Sequence, residues 1–309
     1  MTSNDAIQNR YDFSIFFDVE NGNPNGDPDA GNMPRLDDET GLGLVTDVCI
    51  KRKIRNYVQL IKDDQPPYRI YIQNRVPLNR LDAEALKAEN IPADKADVEK
   101  NIKAAKKKDG DLDRKIRDYM CENFFDIRTF GAVMTTFTKG SLSCGQVRGP
   151  VQLGFGRSLD PVMPQEITIT RVAITTEEDA EKKSNEMGRK YIIPYGLYRM
   201  DGYVSACLAE KTTGFSNTDL ELLWEALLHM FEFDRSAARG NMATRKLYVF
   251  KHDSALGDAP SYKLFDGVHA KLREGITVPR RFEDYDFDFS REGIPDSIQV
   301  TEMVDGVTL

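Results

Sequence analysis

The chain has 309 residues, 40% of them hydrophobic, which is enough for one substantial core with an inserted segment. No apolar run approaches a membrane span and the start, MTSNDAIQNR, lacks a signal-peptide core, so we expect a soluble cytoplasmic protein without membrane contact. The four cysteines are far apart and form no Cys-x-x-Cys pair, which argues against a zinc site and a disulfide scaffold.

The net charge of −8 is unevenly distributed along the chain. Residues 282–309 hold eight acids and one base, so this segment carries −7 and the other 281 residues carry −1. The stretches 127–159 and 235–252 contain no acid, but four and five bases. Because the local field decides where a polyanion binds, both stretches are candidate nucleic-acid surfaces, although each also fits an ordinary solvated face.

The first predicted element is a half-buried strand over 11–19. Its odd-numbered positions are all apolar or aromatic, whereas its even-numbered positions are mostly polar, which is the period of such a strand. It leads into a loop, 21–31, in which Asn, Gly, Pro and Asp fill ten of eleven positions. Such a loop fixes tight turns and exposes backbone amides instead of building a core. A polar loop beside a basic helix is suited to hold a phosphate backbone.

A helix is predicted over 47–62, ending before two prolines. Four basic residues crowd its first turns: Lys51, Arg52, Lys53 and Arg55. The apolar stripe of this helix leaves Lys51, Arg52 and Arg55 as the better candidate phosphate contacts. The stretch 78–123 is rich in Ala, Lys, Asp and Glu, which is typical of two or three short helices in an insertion.

Further strands are predicted near 128–138, 166–174 and 197–209. A second core helix then follows a capping box formed by Thr218 and Glu221, and a strand over 246–250 closes the pattern.

Without insertions, the order is strand, helix, strand, strand, helix, strand, as in ferredoxin-like folds and RNA-recognition motifs. We therefore predict an α+β protein with an RRM-like palm over 1–65 and 125–281, a helical insertion over 66–124 and an acidic C-terminal tail over 282–309.

The segment 170–195 has β-branched arms around a polar middle, which predicts a long protruding hairpin. Met187 is followed by Gly188, Arg189 and Lys190, so an apolar side chain is expected on a charged tip. An apolar side chain in such a place can act as a wedge between bases, although the hairpin could also be a surface feature without that role.

Five strings occur in the order expected for one known family: DVENGNPNGDPDAGNMPRLDDETGLGLVTDVCIKRKIRNY from Asp18, DIRTFGAV from Asp126, RGPVQLGFGRSLDPV from Arg148, IPYGLYRMDGYVSA from Ile193 and FDRSAARGNMATRKLYVF from Phe233. Together they resemble the Csd-type branch of the Cas-seven family, the backbone subunit of the type I-C CRISPR surveillance complex Cascade. The resemblance implies a non-catalytic protein that polymerises along CRISPR RNA, with a thumb hairpin that displaces nucleotides at regular intervals. The implied partners are CRISPR RNA, target DNA through the guide, neighbouring copies and other Cascade subunits.

The candidate RNA contacts come from the Asn-rich loop, the basic stretches and the hairpin. They are Asn21, Asn23, Asn25, Lys51, Arg52, Arg55, Arg128, Arg148, Arg157, Met187, Arg189, Lys190, Arg235 and Arg239. Guide pairing would read the sequence, because repeated subunits on a variable spacer cannot use base-specific contacts. The acidic tail is expected to dock on a basic patch of the next copy, in an open head-to-tail polymer.

Three alternatives stay open at the level of sequence. A calcium loop over 21–32 is disfavoured because Asn32 stands where a bidentate Glu is needed and two prolines interrupt the loop. A metal-dependent endoribonuclease of the same fold would need converging carboxylates, and Asp18, Asp27 and Asp29 are the closest set. A structural polymer without nucleic acid is the third. We predict no cofactor, no metal and no catalytic residue.

Overall fold

The central strand, β1 (Tyr11–Gly22), has its first nine residues buried. The computed structural model describes residues 5–93, 97–180 and 185–309. The prediction of a half-buried strand was wrong, because Asp12, Ser14 and Asp18 are buried as well. Chain segments pack against both faces of this strand, so neither face is open to solvent.

The remaining elements follow β1 in chain order. The helices are α1 (Asp47–Ile61), α2 (Leu78–Ala88), α3 (Val98–Lys108), α4 (Leu112–Asn123), α5 (Phe125–Phe130), α6 (Thr135–Lys139), α7 (Glu177–Ala180), α8 (Ala206–Leu208), α9 (Asn217–His229) and α10 (Ser261–Asp266). The strands are β2 (Gly26–Asp27), β3 (Met33–Pro34), β4 (Leu42–Val45), β5 (Gly131–Val133), β6 (Gln146–Arg148), β7 (Val151–Leu153), β8 (Gly156–Pro161), β9 (Gln165–Arg171), β10 (Glu186–Val204), β11 (Asn241–Lys251), β12 (Val268–Leu272), β13 (Tyr285–Phe289), β14 (Gln299–Glu302) and β15 (Val307–Thr308).

The fold mixes helices with one large antiparallel sheet of order β15-β14-β11-β1-β10-β8-β4, in which β7 and β9 also pair with β10. β1 pairs antiparallel with both β10 and β11 along most of its length. None of the helices in the described ranges has the length and apolar character needed to span a bilayer.

One face of the sheet packs on α1 and α9. Phe13, Ile15 and Phe17 of β1 join a buried cluster with Ile54 of α1 and Leu223 of α9. This is the period-two face of a strand meeting the apolar stripes of two helices.

The opposite face of the sheet is covered by the C-terminal part of the chain. Phe16, Tyr248 and Phe250 pack there with Leu264 and Val300 in a second buried cluster. Strands β12 and β13 pair with each other, and β14 pairs with β11. The acidic segment is therefore folded onto its own chain and is not a free tail. Its docking on a neighbouring copy stays a prediction.

The predicted inserted helices occur as α2, α3 and α4 and have a buried cluster of their own, which includes Leu86, Ile102 and Ile116. The strand predicted over 128–138 was wrong, because this region contains α5, the short strand β5 and α6. Helical geometry lets Phe125 and Phe130 face the main core while the charged Arg128 reaches a buried partner.

Two predicted boundaries shift by a few residues. The strand expected to reach residue 209 ends at Val204, because Ser205 caps the next helix by accepting from the Leu208 amide at 3.3 Å. The capping box of α9 is formed by Ser216 and Asp219, whose carboxylate accepts from the Ser216 amide at 2.9 Å.

Asp219 also holds the buried Arg128 guanidinium, through contacts of 2.8 and 2.7 Å from Nε and Nη2. We expect Asp219→Ala to lower the unfolding free energy by about 3 to 5 kcal/mol, because it leaves Arg128 buried and unpaired. The exposed Glu221 of the sequence-predicted box is the matched control, and Glu221→Ala should change stability by less than about 0.5 kcal/mol. Urea unfolding measures both, and equal losses would contradict the assignment of the box.

Candidate nucleic-acid interface

Three segments lie at one end of the central sheet, which we call the loop end. Gly22, the last residue of β1, is opposite Ile193 of β10, and Glu20 is opposite Asn241, the first residue of β11. The loop that follows β1, the segment 234–240 before β11 and the base of the β9–β10 hairpin therefore share this end.

The Asn-rich loop is tied to its neighbours by its own carboxamides. Asn25 Oδ1 accepts from the Thr46 amide at 2.9 Å, and Thr46 is the N-cap of α1. The Asn23 amide donates to the Ala238 carbonyl at 2.9 Å, and its Nδ2 donates to the Asn32 carbonyl at 2.7 Å. Of the three predicted asparagines, Asn21 is exposed, whereas Asn23 and Asn25 hold the loop in place.

Glycine is required where the segment 234–240 meets β1. A Cβ on Gly22 would lie 1.9 Å from the Arg239 carbonyl oxygen. Gly240 has a φ of +62°, and a Cβ there would lie 2.3 Å from the Glu20 carbonyl oxygen. The close approach fixes the backbone of Arg239 against the end of β1.

Charged groups surround the Cys49 thiol on α1. Burial raises the pKa of this thiol, and the cations Lys53, Arg239 and Arg35 oppose the rise while Asp234 adds to it. The thiol donates to the Pro24 carbonyl of the loop at 3.4 Å. The first turns of α1, the loop and the segment 234–240 therefore lie close together and bring Lys53, Arg239 and Arg35 near this thiol.

Arg35 is a candidate that the sequence analysis missed. Its Nη1 lies 3.3 Å from an Asp27 oxygen, and its Nε is buried without a hydrogen-bond partner in the described part of the chain. The available signal was a lone base directly after a loop that is otherwise rich in Asp and Asn.

The basic start of α1 divides into two half-buried and two buried cations. Lys51 donates to Asp47 at 2.9 Å and lies 5.5 Å from the Phe130 ring centroid. Arg52 is half-buried and makes no hydrogen bond or ion pair with the described residues. Arg55 is buried, and its Nε donates to Asp126 at 2.7 Å. A phosphate contact from Arg55 is at odds with this burial, because its charge is already matched inside the protein.

Three predicted contacts from the first acid-free stretch lie in different places. Arg128 is buried in the pair with Asp219, which is at odds with an RNA contact. Arg148 is exposed on β6, opposite Gly131 in the ladder. Arg157 is exposed on β8 and donates to Asp37 at 2.8 Å, a hydrogen bond that lowers the pKa of the Asp37 carboxyl.

The predicted contacts from the second stretch both lie on the segment 234–240. Arg235 is exposed and ion-paired with Glu232. Arg239 is half-exposed and ion-paired with the buried Asp234. The structure therefore brings Arg239 together with Arg35 and the start of α1, and leaves Arg235 at the surface beside them.

The protruding hairpin is formed by β9 and the first half of β10. Met187 is opposite Thr170 in the ladder, so its predicted place at the tip was wrong, and part of the tip lies outside the described residues. The Met187 side chain is nevertheless exposed to 74%. Arg189 lies 3.1 Å from Glu166 across the hairpin, and Lys190 is half-buried.

The sheet face that RNA-recognition motifs use for stacking bases is filled here. Phe16 of β1 meets Phe287 at 5.1 Å between ring centroids in an edge-to-face arrangement, under the C-terminal strands. This face of β1 is therefore not open for base stacking.

Acid–base groups do not converge at the loop end. Among the described residues, no group of three His, Cys, Asp or Glu side chains could hold a metal ion. Asp27 caps a short 3₁₀ turn by accepting from the Asp29 amide at 3.1 Å, and Asp18 is buried, with its Oδ2 2.8 Å from Arg245. His252 is buried 2.8 Å from Asp12, at the opposite end of β1.

Comparison with known proteins places these features in a family. A Haloferax volcanii protein named CRISPR-associated protein Cas7 is 28% identical over 237 residues, which cover 71% of this chain and 64% of that relative, just under two thirds of its length. A chain of a CRISPR RNA-guided surveillance complex in a pre-nicking state aligns at 15% identity and a TM-score of 0.47, covering 78% of each chain. A chain of the Type III-B Cmr-beta complex bound to cognate target RNA aligns at 10% identity and a TM-score of 0.39, covering 78% of this chain and 61% of that one.

The family model described as CRISPR-associated protein Cas7 matches residues 9–290, which is most of the chain. The match includes β1, both core helices and the whole loop end. The chain belongs to the Cas7 family of CRISPR-associated proteins.

Proposed function

We propose that this protein is a non-catalytic, RNA-binding backbone subunit that polymerises along CRISPR RNA in a Cascade complex of type I-C. The observation that carries the proposal is the convergence of Arg35 and Arg239 beside the first turns of α1, on a chain of the Cas7 family. These cations can hold phosphates without reading bases. The guide would then pair with invading DNA while the protein positions its backbone.

The central sheet would serve as an RRM-like palm. The order β11-β1-β10-β8 and the packing of α1 and α9 on one face support this description. With the other face filled, the loop end would be the main surface for RNA. Asn21, Arg52, Arg189, Lys190 and Arg235 would extend it beyond Arg35 and Arg239. Arg148 would contact RNA elsewhere, because Val151 of the following strand is opposite Val204, at the other end of the sheet.

The hairpin would be the thumb, with Met187 as its apolar wedge. The exposure of Met187 beside charged neighbours supports this role. Neighbouring copies and other Cascade subunits would complete a head-to-tail assembly in the cytoplasm. Purification from cells that express CRISPR RNA tests the function directly, since electron microscopy of the eluted particles should show RNA-bound filaments. Particles without nucleic acid would favour a structural polymer.

Substitution of Arg52 and of Arg55 distinguishes a phosphate contact from a buried ion pair. Arg52→Gln should weaken binding of single-stranded RNA about three- to tenfold for unrelated sequences with unchanged stability, because phosphate contacts are sequence-blind. Arg55→Gln should instead lower the unfolding free energy by about 3 kcal/mol, since the buried Asp126 loses its charged partner. Fluorescence anisotropy and urea unfolding measure the two effects, and Lys263→Gln, at the exposed start of α10, is the charge-matched control. Loss of binding for particular sequences alone would contradict phosphate holding.

The protein should leave RNA intact. Guide RNA and complementary RNA, incubated with the protein and magnesium or manganese, should both remain full length on a denaturing gel. The reason is that the Asp27 carboxylate accepts from the Asp29 amide and pairs with Arg35, and no group of three acidic, His or Cys side chains among the described residues could hold a metal ion. Metal-dependent cleavage that disappears in Asp27→Ala or Asp29→Ala would establish a nuclease instead.

Met187→Ala should reduce regularly spaced base displacement in the assembled RNA. The expected loss is about 1 to 3 kcal/mol of stacking-type contact per subunit, seen as weaker periodic reactivity of Watson–Crick edges. Met163→Ala is the control, because Met163 is 79% exposed near the base of the same hairpin. Unchanged reactivity in Met187→Ala, or an equal decrease in both variants, would remove the wedge role from Met187.

A further inference from the structure

Asp234 is a buried carboxylate shared by two cations. Its side chain is exposed to 7% and forms an ion pair with Lys53 of α1 through Oδ2. Its Oδ1 lies 2.5 Å from Arg239 Nη1, and the same Nη1 donates to the Asp234 main-chain carbonyl at 3.0 Å. One nitrogen of the Arg239 guanidinium is therefore fixed twice.

The rest of the Arg239 guanidinium is available to a ligand. Its side chain is exposed to 41%, and Nε and Nη2 donate no hydrogen bond within the described residues. The backbone beneath it is fixed by the close contact with Gly22. An arginine held in this way loses little rotamer freedom when it binds an anion, which favours a planar, two-donor contact.

Lys53 balances the charge of the Asp234 carboxylate that lies beside Arg239. A carboxylate next to a phosphate site would repel the ligand if its charge were unbalanced. The Lys53 side chain is exposed to 3%, too little to reach a ligand itself, and its charge balances that of Asp234. The group of three charges therefore keeps a net charge of +1, with the exposed part on Arg239.

We propose that Asp234 is a positioning residue that presents Arg239 to one phosphate of the RNA, and that Lys53 neutralises Asp234 so that it does not repel that phosphate. This inference rests on the proposed RNA-binding function. It assigns a role in binding to two buried residues that do not touch the ligand.

The main test replaces the buried pair without changing the net charge. The double variant Lys53→Met/Asp234→Leu keeps side-chain volume and removes one charge of each sign, so the fold should survive. We expect its affinity for a fluorescein-labelled single-stranded RNA to fall about fivefold, because Arg239 loses its anchor. Arg239→Ala should weaken binding about tenfold and lower the slope of log K against log salt by about 0.7.

A double-mutant cycle distinguishes positioning from general structural support. In the Arg239→Ala background, the Lys53→Met/Asp234→Leu exchange should have no further effect on affinity, because Asp234 acts through Arg239. An exchange that weakens binding equally in both backgrounds would overturn the inference. So would an exchange that leaves the affinity of the otherwise native protein unchanged.

Arg239→Lys keeps the inference testable if the double variant does not fold. A lysine keeps the charge but cannot be held at one nitrogen while offering two others in a plane, so binding should fall nearly as far as in Arg239→Ala. Native affinity in Arg239→Lys would show a simple point charge and overturn the inference. If the native protein binds no RNA, the proposed function fails together with this inference. If it binds RNA and Arg239→Ala has no effect, the inference alone fails.

Discussion

The burial of β1 on both faces is the constraint on which the rest of the structure depends. Two core helices cover one face, and the C-terminal strands cover the other. Polar side chains on the second face must therefore find partners inside the protein, as Ser14 does with Asp201 and Asp18 does with Tyr195 and Arg245. Burial raises the pKa of Asp18 more than its partners lower it. Burying this carboxyl therefore costs folding free energy, which the packing of the sheet offsets. The buried side chains on both faces of β1 are consequently not available to a ligand.

The same constraint decides which basic residues remain available to a polyanion. Lys53, Arg55 and Arg128 are all buried, and each is paired with a carboxylate that lies far away in the sequence. A buried cation without a partner would cost several kcal/mol, so these pairs fix elements relative to one another. A count of basic residues therefore overstates the binding surface. Arg52 and Arg148 belong to a smaller set of cations that make no ion pair with the described residues and could serve the proposed RNA binding.

Much of the fold could be predicted from local patterns in the sequence. The ends of α1, the three inserted helices and the paired arms of the hairpin follow from periodicity, prolines and β-branched residues. The helix α5 could not be predicted in this way, because Arg128 is tolerated inside only through Asp219, 91 residues later. The C-terminal cover on the second face of the sheet could not be predicted either, since the acidic composition of this segment is typical of a solvent-exposed tail. Within the site, Arg239 was predictable from its acid-free stretch, whereas Arg35 depended on how the loop folds back.

The net charge of −8 is a poor guide to the field at the loop end. Four of the eight acids in residues 282–309 are ion-paired within the chain; they are Asp284, Asp286, Glu302 and Asp305. The last two share Lys246, which lies five residues along β11 from its first residue at the loop end, about 17 Å for an extended strand. That separation is about two Debye lengths at physiological ionic strength, so this acidic group is screened from the loop end. Half of the acids in this segment are therefore neutralised within the chain, and the net charge does not describe the surroundings of Arg239, where Lys53 balances Asp234.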